Sequence, residues 1–450
     1  MKLVADRLKI GGLKCLVPLA ALALVLAVGR GASAQGILLP FAGPINQSMG
    51  GASTAAPIDA AGAMFWNPAS ISGLQSSEMS LGLGMVLPTT SVASSATIPG
   101  VGTFSGSTQS QPGVMPIPTM AFVKKTDDSA WTYGIGVFSL GGFSTNYPAS
   151  PFPAANSNPI LTPQPPGGIG LGSVYAMSQI YQIAPTISCA VTDRLSIGVT
   201  PTISLAYLDM SPLVFSPPNP PVAAGGAAQY GPGFGTRFNW GGGVNLGAYY
   251  ILNDAWHFGA TIKSPQWYEP IRINSQNQAG GPTQSKLDLQ LPMVVSVGTA
   301  YTGFQRLIVD LDLRYFDYAN ARGFSQSGFS PNGAVAGLGW NSVFGLALGG
   351  QYLLTDRWTV RMGYSYNSNP VPNSQSEFNV ASPLIYQNII SMGFSVLIAS
   401  NVRANLAYSH AFQNSITGPI YTAANAPIPG TSVTNTVSSD LLQAGLSVLF

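Results

Sequence analysis

Large apolar residues fall on alternate positions over much of the chain. In WTVRMGYSYN (358–367), Trp358, Val360, Met362, Tyr364 and Tyr366 share one face, opposite Thr359, Arg361, Gly363, Ser365 and Asn367. In RLIVDLDLRY (306–315), Leu307, Val309, Leu311, Leu313 and Tyr315 oppose Ile308, Asp310, Asp312 and Arg314. LSIGVTPTISLAY (195–207) repeats the pattern. A period of two is that of a β-strand with one greasy face. Fourteen such segments are expected, near 78–88, 117–125, 131–143, 177–191, 195–210, 238–252, 255–271, 286–302, 306–322, 340–354, 357–367, 385–398, 402–413 and 437–450.

The connections alternate too. Short polar turns such as TDR, LND and LTD trade places with long segments at 89–116, 144–176, 211–237, 272–285, 323–339, 368–384 and 414–436. Several of the long segments carry no Asp, Glu, Lys or Arg. That composition suits either solvated low-complexity loops or a neutral rim for greasy ligands. Only 8% of residues are charged, against about 25% in soluble domains. A soluble β-sandwich would also alternate, but it would cover its outer face with charge. The reading is therefore an all-β fold, a 14-stranded antiparallel transmembrane barrel whose greasy face meets lipid.

The first 34 residues predict export. Lys2, Arg7, Lys9 and Lys14 precede an apolar run from Cys15 to Val28, then GRGASA ends at Ala34. A basic start, a short apolar core and small residues before the cleavage point make a signal peptide; a spanning helix needs about 20 apolar residues. Cleavage would leave Gln35 first. Five of the 18 Lys and Arg and one of the 16 Asp and Glu lie in 1–34, so 13 basic and 15 acidic residues remain, a net charge of −2. The formal +2 of the whole chain thus implies no nucleic-acid partner. Cys189 alone remains, which excludes an internal disulfide.

Catalysis finds little support. The two histidines, His257 and His410, belong to no nucleophile motif, and with one cysteine they make no metal cluster. No enzyme activity, metal or cofactor is expected.

Between leader and first strand, residues 35–77 include NQSMGGASTAAPIDAAGAMFWNPASISGL (46–74), small residues running into Phe65-Trp66 and then Asn67-Pro68-Ala69. About eight strands already enclose a space that their side chains can fill, so fourteen leave room for this segment as a plug. The stretch resembles the N-terminal hatch signature of the FadL family of outer-membrane transporters for long-chain fatty acids and aromatic hydrocarbons. The resemblance rests on an acidic residue, Asp59, in a Gly/Ala-rich run, followed by Asn67, Pro68 and Ala69. LQLPMVVSVG (289–298), WTVRMGYSYNSNPVP (358–372) and a terminal aromatic strand extend it. It implies a plugged fourteen-stranded barrel in the bacterial outer membrane and passive uptake of hydrophobic compounds with lateral release. The domains expected are signal peptide 1–34, hatch 35–77 and barrel 78–450. Adhesin-type barrels and general porins are the alternatives.

Three further expectations concern single residues. By parity Lys263, Asp288, Asp310, Asp312, Arg314, Arg361 and Arg403 face the lumen. There they form either a charge-paired network anchoring the plug, the leading reading, or a site for a ligand carboxylate. Small lumen residues between the strands of Asp310 and Arg361 are expected to let Arg361 reach across. Gly141-Gly142 in the third spanning strand marks a bend. The resemblance implies a lateral gate there; a close approach of the plug is the alternative. If the bend is a gate, Gly142→Val should regularise the ladder. Phe450, closing DLLQAGLSVLF, resembles the C-terminal signal read by the barrel-assembly machinery. The partners expected are hydrophobic small molecules and outer-membrane lipids, with the protein a monomer.

Overall fold

Alternating side chains close into a barrel because each strand can bury one face against the lumen contents and present the other to lipid. The computed structural model describes residues 35–100, 102–126 and 129–450; the signal peptide expected at 1–34 lies outside them. Among the described residues the strands are β1 Glu78–Ile98, β2 Gly102–Gln109, β3 Met115–Lys125, β4 Trp131–Tyr147, β5 Val174–Ala190, β6 Leu195–Ser211 and β7 Asn239–Asn253. Then follow β8 Trp256–Lys263, β9 Gln266–Tyr268, β10 Ile271–Gln276, β11 Pro282–Leu287, β12 Gln290–Leu291, β13 Val294–Tyr301 and β14 Leu307–Phe316. The last are β15 Val343–Leu353, β16 Trp358–Asn367, β17 Asn388–Ala399, β18 Val402–Gly418 and β19 Ser432–Leu449. All pairings are antiparallel, and β1 pairs with β19 from Glu78↔Leu449 to Ser95↔Ser432, which closes the sheet. Leaving out β2 and the separate hairpin β10–β11, and counting β8 with β9 and β12 with β13 as interrupted single spans, fourteen strands cross.

The faces divide as the alternation requires. On β1, Leu81, Leu83, Met85 and Leu87 are exposed, while on β14 Asp310, Asp312 and Arg314 are buried. Apolar side chains pointing out of a closed barrel are stable only in hydrocarbon.

Four expectations about the elements need correction. Segment 89–116 is largely not loop: β1 runs on to Ile98 and pairs with β2 from Ser91↔Gln109 to Ile98↔Gly102. Its outward row is Thr89, Ser91, Ala93, Ser95 and Thr97; lacking a greasy face above the lipid, it lacks the period-two signal while keeping the ladder. Segment 272–285 likewise forms most of the hairpin β10–β11. The expected strands 255–271 and 286–302 are each broken, at Pro265 and Pro292, because proline removes a ladder donor. Asp288 is exposed between β11 and β12 instead of facing the lumen.

Inside the barrel lies the N-terminal segment, with helices α1 Gly43–Ser48 and α2 Ala60–Trp66 and a 3-10 turn Pro68–Gly73. Every residue of both helices is buried. The wall makes room with glycine: a Cβ at Gly198 would strike the backbone of Pro68 and Ala69, and one at Gly247 would strike Asn67 Oδ1.

Candidate functional site

The small-residue run of the plug has a geometric purpose. Asp59 caps α2, its carboxylate accepting from Gly62 N at 3.3 Å, and Gly62 leaves room that a Cβ would take from Asp59 Oδ1 at 2.8 Å. The helix delivers Phe65 and Trp66 into the barrel, edge to face with ring centroids 5.1 Å apart. Asn67 then ends it. Its Nδ2 donates to Thr54 O (2.8 Å) within the plug and to Ala248 O (3.0 Å) in the wall, and its Oδ1 accepts from Ala69 N (3.1 Å). Proline at 68 fits because the first residue of the 3-10 turn needs no donor.

The lumen charges are grouped differently from the expectation. Asp312 and Arg314, two residues apart on β14, form a buried pair at 2.8 Å. Asp312 Oδ2 also accepts from Ser53 N (3.0 Å) and Thr54 N (3.1 Å), and Arg314 Nη2 donates to Gly51 O (2.5 Å). The Arg314 guanidinium lies 3.3 Å from the Trp66 ring centroid, and Lys263 Nζ lies 4.2 Å from that of Phe65 and 4.7 Å from that of Trp66. Asp310 is fully buried on the same face as Asp312. Arg361 does not reach toward Asp310. It donates to Gln351 Oε1 (2.6 Å) and Ser395 Oγ (2.7 Å), and the space left by Gly349 and Gly363 is filled by Met49 and Gly50 of the plug. The small residues Gly349 of β15 and Gly363 of β16 thus admit the plug at Met49 and Gly50, not the Arg361 side chain. Arg361 and Arg403 line a polar vestibule of about 600 Å³ with Glu78, His257 and Arg306.

The wall opens next to β4. The β3–β4 ladder stops at Thr119↔Phe138, although β4 continues beside β5 to Tyr147↔Val174 and β3 beside β1 to Met115↔Val86. Two features cause the break: Pro116 and Pro118 carry no N–H, and β4 bulges between Ser139 and Gly141. The first seven described residues line this gap from within. Leu38 bridges to Gly141, Gly142 N donates to Ile37 O (3.1 Å) and Leu39 N to Leu140 O (3.0 Å). Gly142 has φ +153°, and a Cβ there would strike Ser178 O; at Gly141 it would strike Ile37 O. Valine at 142 therefore strains the backbone instead of regularising the ladder, which corrects the expectation.

An apolar cavity of about 90 Å³ borders the gap, lined by Leu38, Val86, Met115, Pro116, Gly142 and Phe143 among others, none of them charged. A second, smaller one is lined by Gln35, Leu39, Phe65, Trp66, Lys263 and Phe316. At the chain end Phe450 is exposed, its N–H donating to Ser77 O (3.0 Å). The histidines sit apart: His257 Nδ1 bonds Tyr249 Oη (2.9 Å), and His410, on the lipid-facing parity, bonds Asp440 (2.9 Å). Sequence reasoning missed Tyr318, which holds residues 35–37, and the paired prolines of β3, whose placement inside a strand was a usable signal.

A closed fourteen-stranded barrel with a greasy exterior and an internal plug defines an outer-membrane transport barrel. The chain belongs to the outer membrane protein transport protein family (OMPP1/FadL/TodX), whose profile matches residues 25–450. Proteins of this family are transport channels and not enzymes. The fold resembles the toluene transporter TodX of P. putida (TM-score 0.63, 17% identity, 92% of this chain and 99% of that one). It also resembles a Pseudomonas aeruginosa FadL homologue (0.69, 15%, 92% and 100%) and the Ralstonia pickettii toluene transporter TbuX (0.63, 19%, 90% and 98%). No curated protein sequence matches the chain.

Proposed function

We propose that this protein is a passive channel for hydrophobic compounds, long-chain fatty acids or aromatic hydrocarbons, with lateral release through the wall beside β4. The observation that carries the reading is the uncharged apolar cavity that ends on the interrupted β3–β4 ladder. Delivering a greasy chain to water forfeits about 0.8 kcal/mol per CH₂; passage from cavity to bilayer through a wall gap avoids that cost. At about 90 Å³ the cavity is smaller than the roughly 150 Å³ that admits benzene, so cargo enters when residues 35–41 give way. Gly141 and Gly142 form the gate in this reading, and residues 35–77 the hatch.

Between the two basic head-group candidates, the surroundings favour Lys263. It lines an apolar cavity with Leu38, Leu39 and Phe65, whereas Arg361 opens on the polar vestibule. Asp310, Asp312 and Arg314 serve to anchor the plug. The protein acts as a monomer surrounded by outer-membrane lipid, and Phe450 serves the assembly machinery. Deleting Phe450 is expected to lower heat-modifiable folded barrel in outer-membrane fractions.

Uptake of labelled oleate and of toluene by a transporter-deletion strain, with and without this chain, tests the function. Uptake of neither, together with sugar-driven swelling of proteoliposomes, would replace it with a general porin.

A further inference from the structure

Segment 35–41 poses a problem of charge. With the leader removed after Ala34, residue 35 carries the α-amine of the mature chain, which is mostly protonated at neutral pH. Gln35 is 4% exposed and lines both apolar cavities. Neither cavity has a carboxylate in its lining, and the second already holds the Lys263 ammonium. An unpaired ammonium in such surroundings is strongly disfavoured. Yet the backbone holds residue 35 there: Tyr318 Oη donates to Gln35 O (3.0 Å) and accepts from Ile37 N (3.2 Å). Gly36 fits only as glycine, with φ +74° and Tyr318 Oη 2.6 Å from where a Cβ would stand. The Gln35 side chain is itself anomalous, since neither of its buried amide atoms has a hydrogen-bond partner among the described residues.

One reaction removes the charge and the unpartnered amide nitrogen together. We propose that Gln35 is a modification site, cyclised to N-terminal pyroglutamate once the leader is cleaved. The neutral α-amine nitrogen attacks the side-chain Cδ, the Cδ–Nε2 bond breaks, and the amide nitrogen leaves as ammonia with the proton that the α-nitrogen gives up. No oxidant or co-reactant is consumed. The product is a neutral γ-lactam without the unpartnered amide NH₂ group and without the α-ammonium. Cyclisation precedes folding, while residue 35 is still accessible. Its consequence is that the segment lying across the β4 gap enters the barrel uncharged, and that apolar cargo displaces it without competing against a buried cation.

The test uses the full chain, expressed with its leader and extracted from outer membranes directly into denaturant with an isotopic amine-labelling reagent. The N-terminal peptide is expected to start at residue 35, to be lighter than the glutamine form by one ammonia, and to carry no label on its α-nitrogen. A labelled Gln35 α-amine, or a mature chain starting at another residue, overturns the proposal. A second arm uses Gln35→Ala, which cannot cyclise. With cleavage after Ala34 verified and the barrel still heat-modifiable, amide exchange at Leu39 and Gly142 should quicken by about tenfold or more, as an unpaired cation in an apolar chamber requires. Unchanged exchange in that folded variant would refute the role given to the lost charge.

Discussion

The two halves of the plug are held in opposite ways. Residues 43–74 are clamped by polar side chains. Asp312 and Arg314 grip the backbone at Gly51, Ser53 and Thr54, Asn67 ties the plug to β7 through Ala248, and Gln47 Nε2 reaches Ser409 Oγ (2.9 Å) and Leu441 O (3.1 Å). Residues 35–41 lie against the bulge of β4 through backbone bonds and are tied elsewhere mainly by the neutral hydroxyl of Tyr318, with an apolar cavity alongside. A segment with few side-chain hydrogen bonds opens at lower free energy than one clamped by buried charged and amide side chains. The fourteen-stranded wall can therefore stay shut around the helical part while the plug's first residues move, as the proposed displacement by cargo requires.

Breaking the clamp should give the largest effect. Arg314→Ala leaves Asp312 buried without its cation, a loss of about 3–5 kcal/mol. Denaturant unfolding should show the destabilisation and planar bilayers a raised conductance; a silent bilayer would mean that the plug is held elsewhere. Asn67→Ala comes next, orphaning Thr54 O and Ala69 N at about 1–3 kcal/mol. It should lower the unfolding midpoint with the barrel still formed.

Gly141→Ala sharpens the contrast. Its Cβ collides with Ile37 O, so the first segment should lift while the clamp and the β4–β5 ladder persist. Faster amide exchange confined to residues 37–39 and 142, with changed uptake and unchanged unfolding, is the expected signature. General destabilisation instead would join the two halves into one unit. Gly142→Val should be the harsher change, lowering folding yield through its φ of +153°.

The smallest effect lies in the outer loops. Glu377, between β16 and β17, accepts from Tyr421 N (2.7 Å), and burial pushes its carboxyl up to about 7. An acid whose folded pKa is raised destabilises the packed loop as it ionises. Loop stability is thus greatest below the ordinary glutamate range of about 4.5 and falls as pH rises to about 7. Exchange protection at Tyr421 should decline over that interval. Glu377→Gln should abolish the dependence without touching either half of the plug.

Much of this was legible in the chain. Trp358 to Asn367 and Leu307 to Tyr315 announce strands because a lipid face and a lumen face impose a period of two on any spanning segment. Above the lipid that constraint ends. Ser91 to Ile98 and the hairpin β10–β11 therefore read as loop, although their backbones pair. The small-residue run into Phe65-Trp66 and Asn67-Pro68-Ala69 pointed to a compact segment ahead of the barrel, while the helix that Asp59 caps went unread.

Which partners those residues meet was decided in three dimensions. Parity turns Asp312, Arg314 and Arg361 inward, since direction along a strand is local. Distances across a closed barrel are set by what fills it, and Met49 and Gly50 of the plug occupy the path from Arg361 toward Asp310. The wall gap is of the same kind. Pro116, Pro118 and Gly142 are visible in the sequence. That they lie across one missing ladder, with Ile37 and Leu38 laid over it, follows from closing the barrel around its own N-terminus.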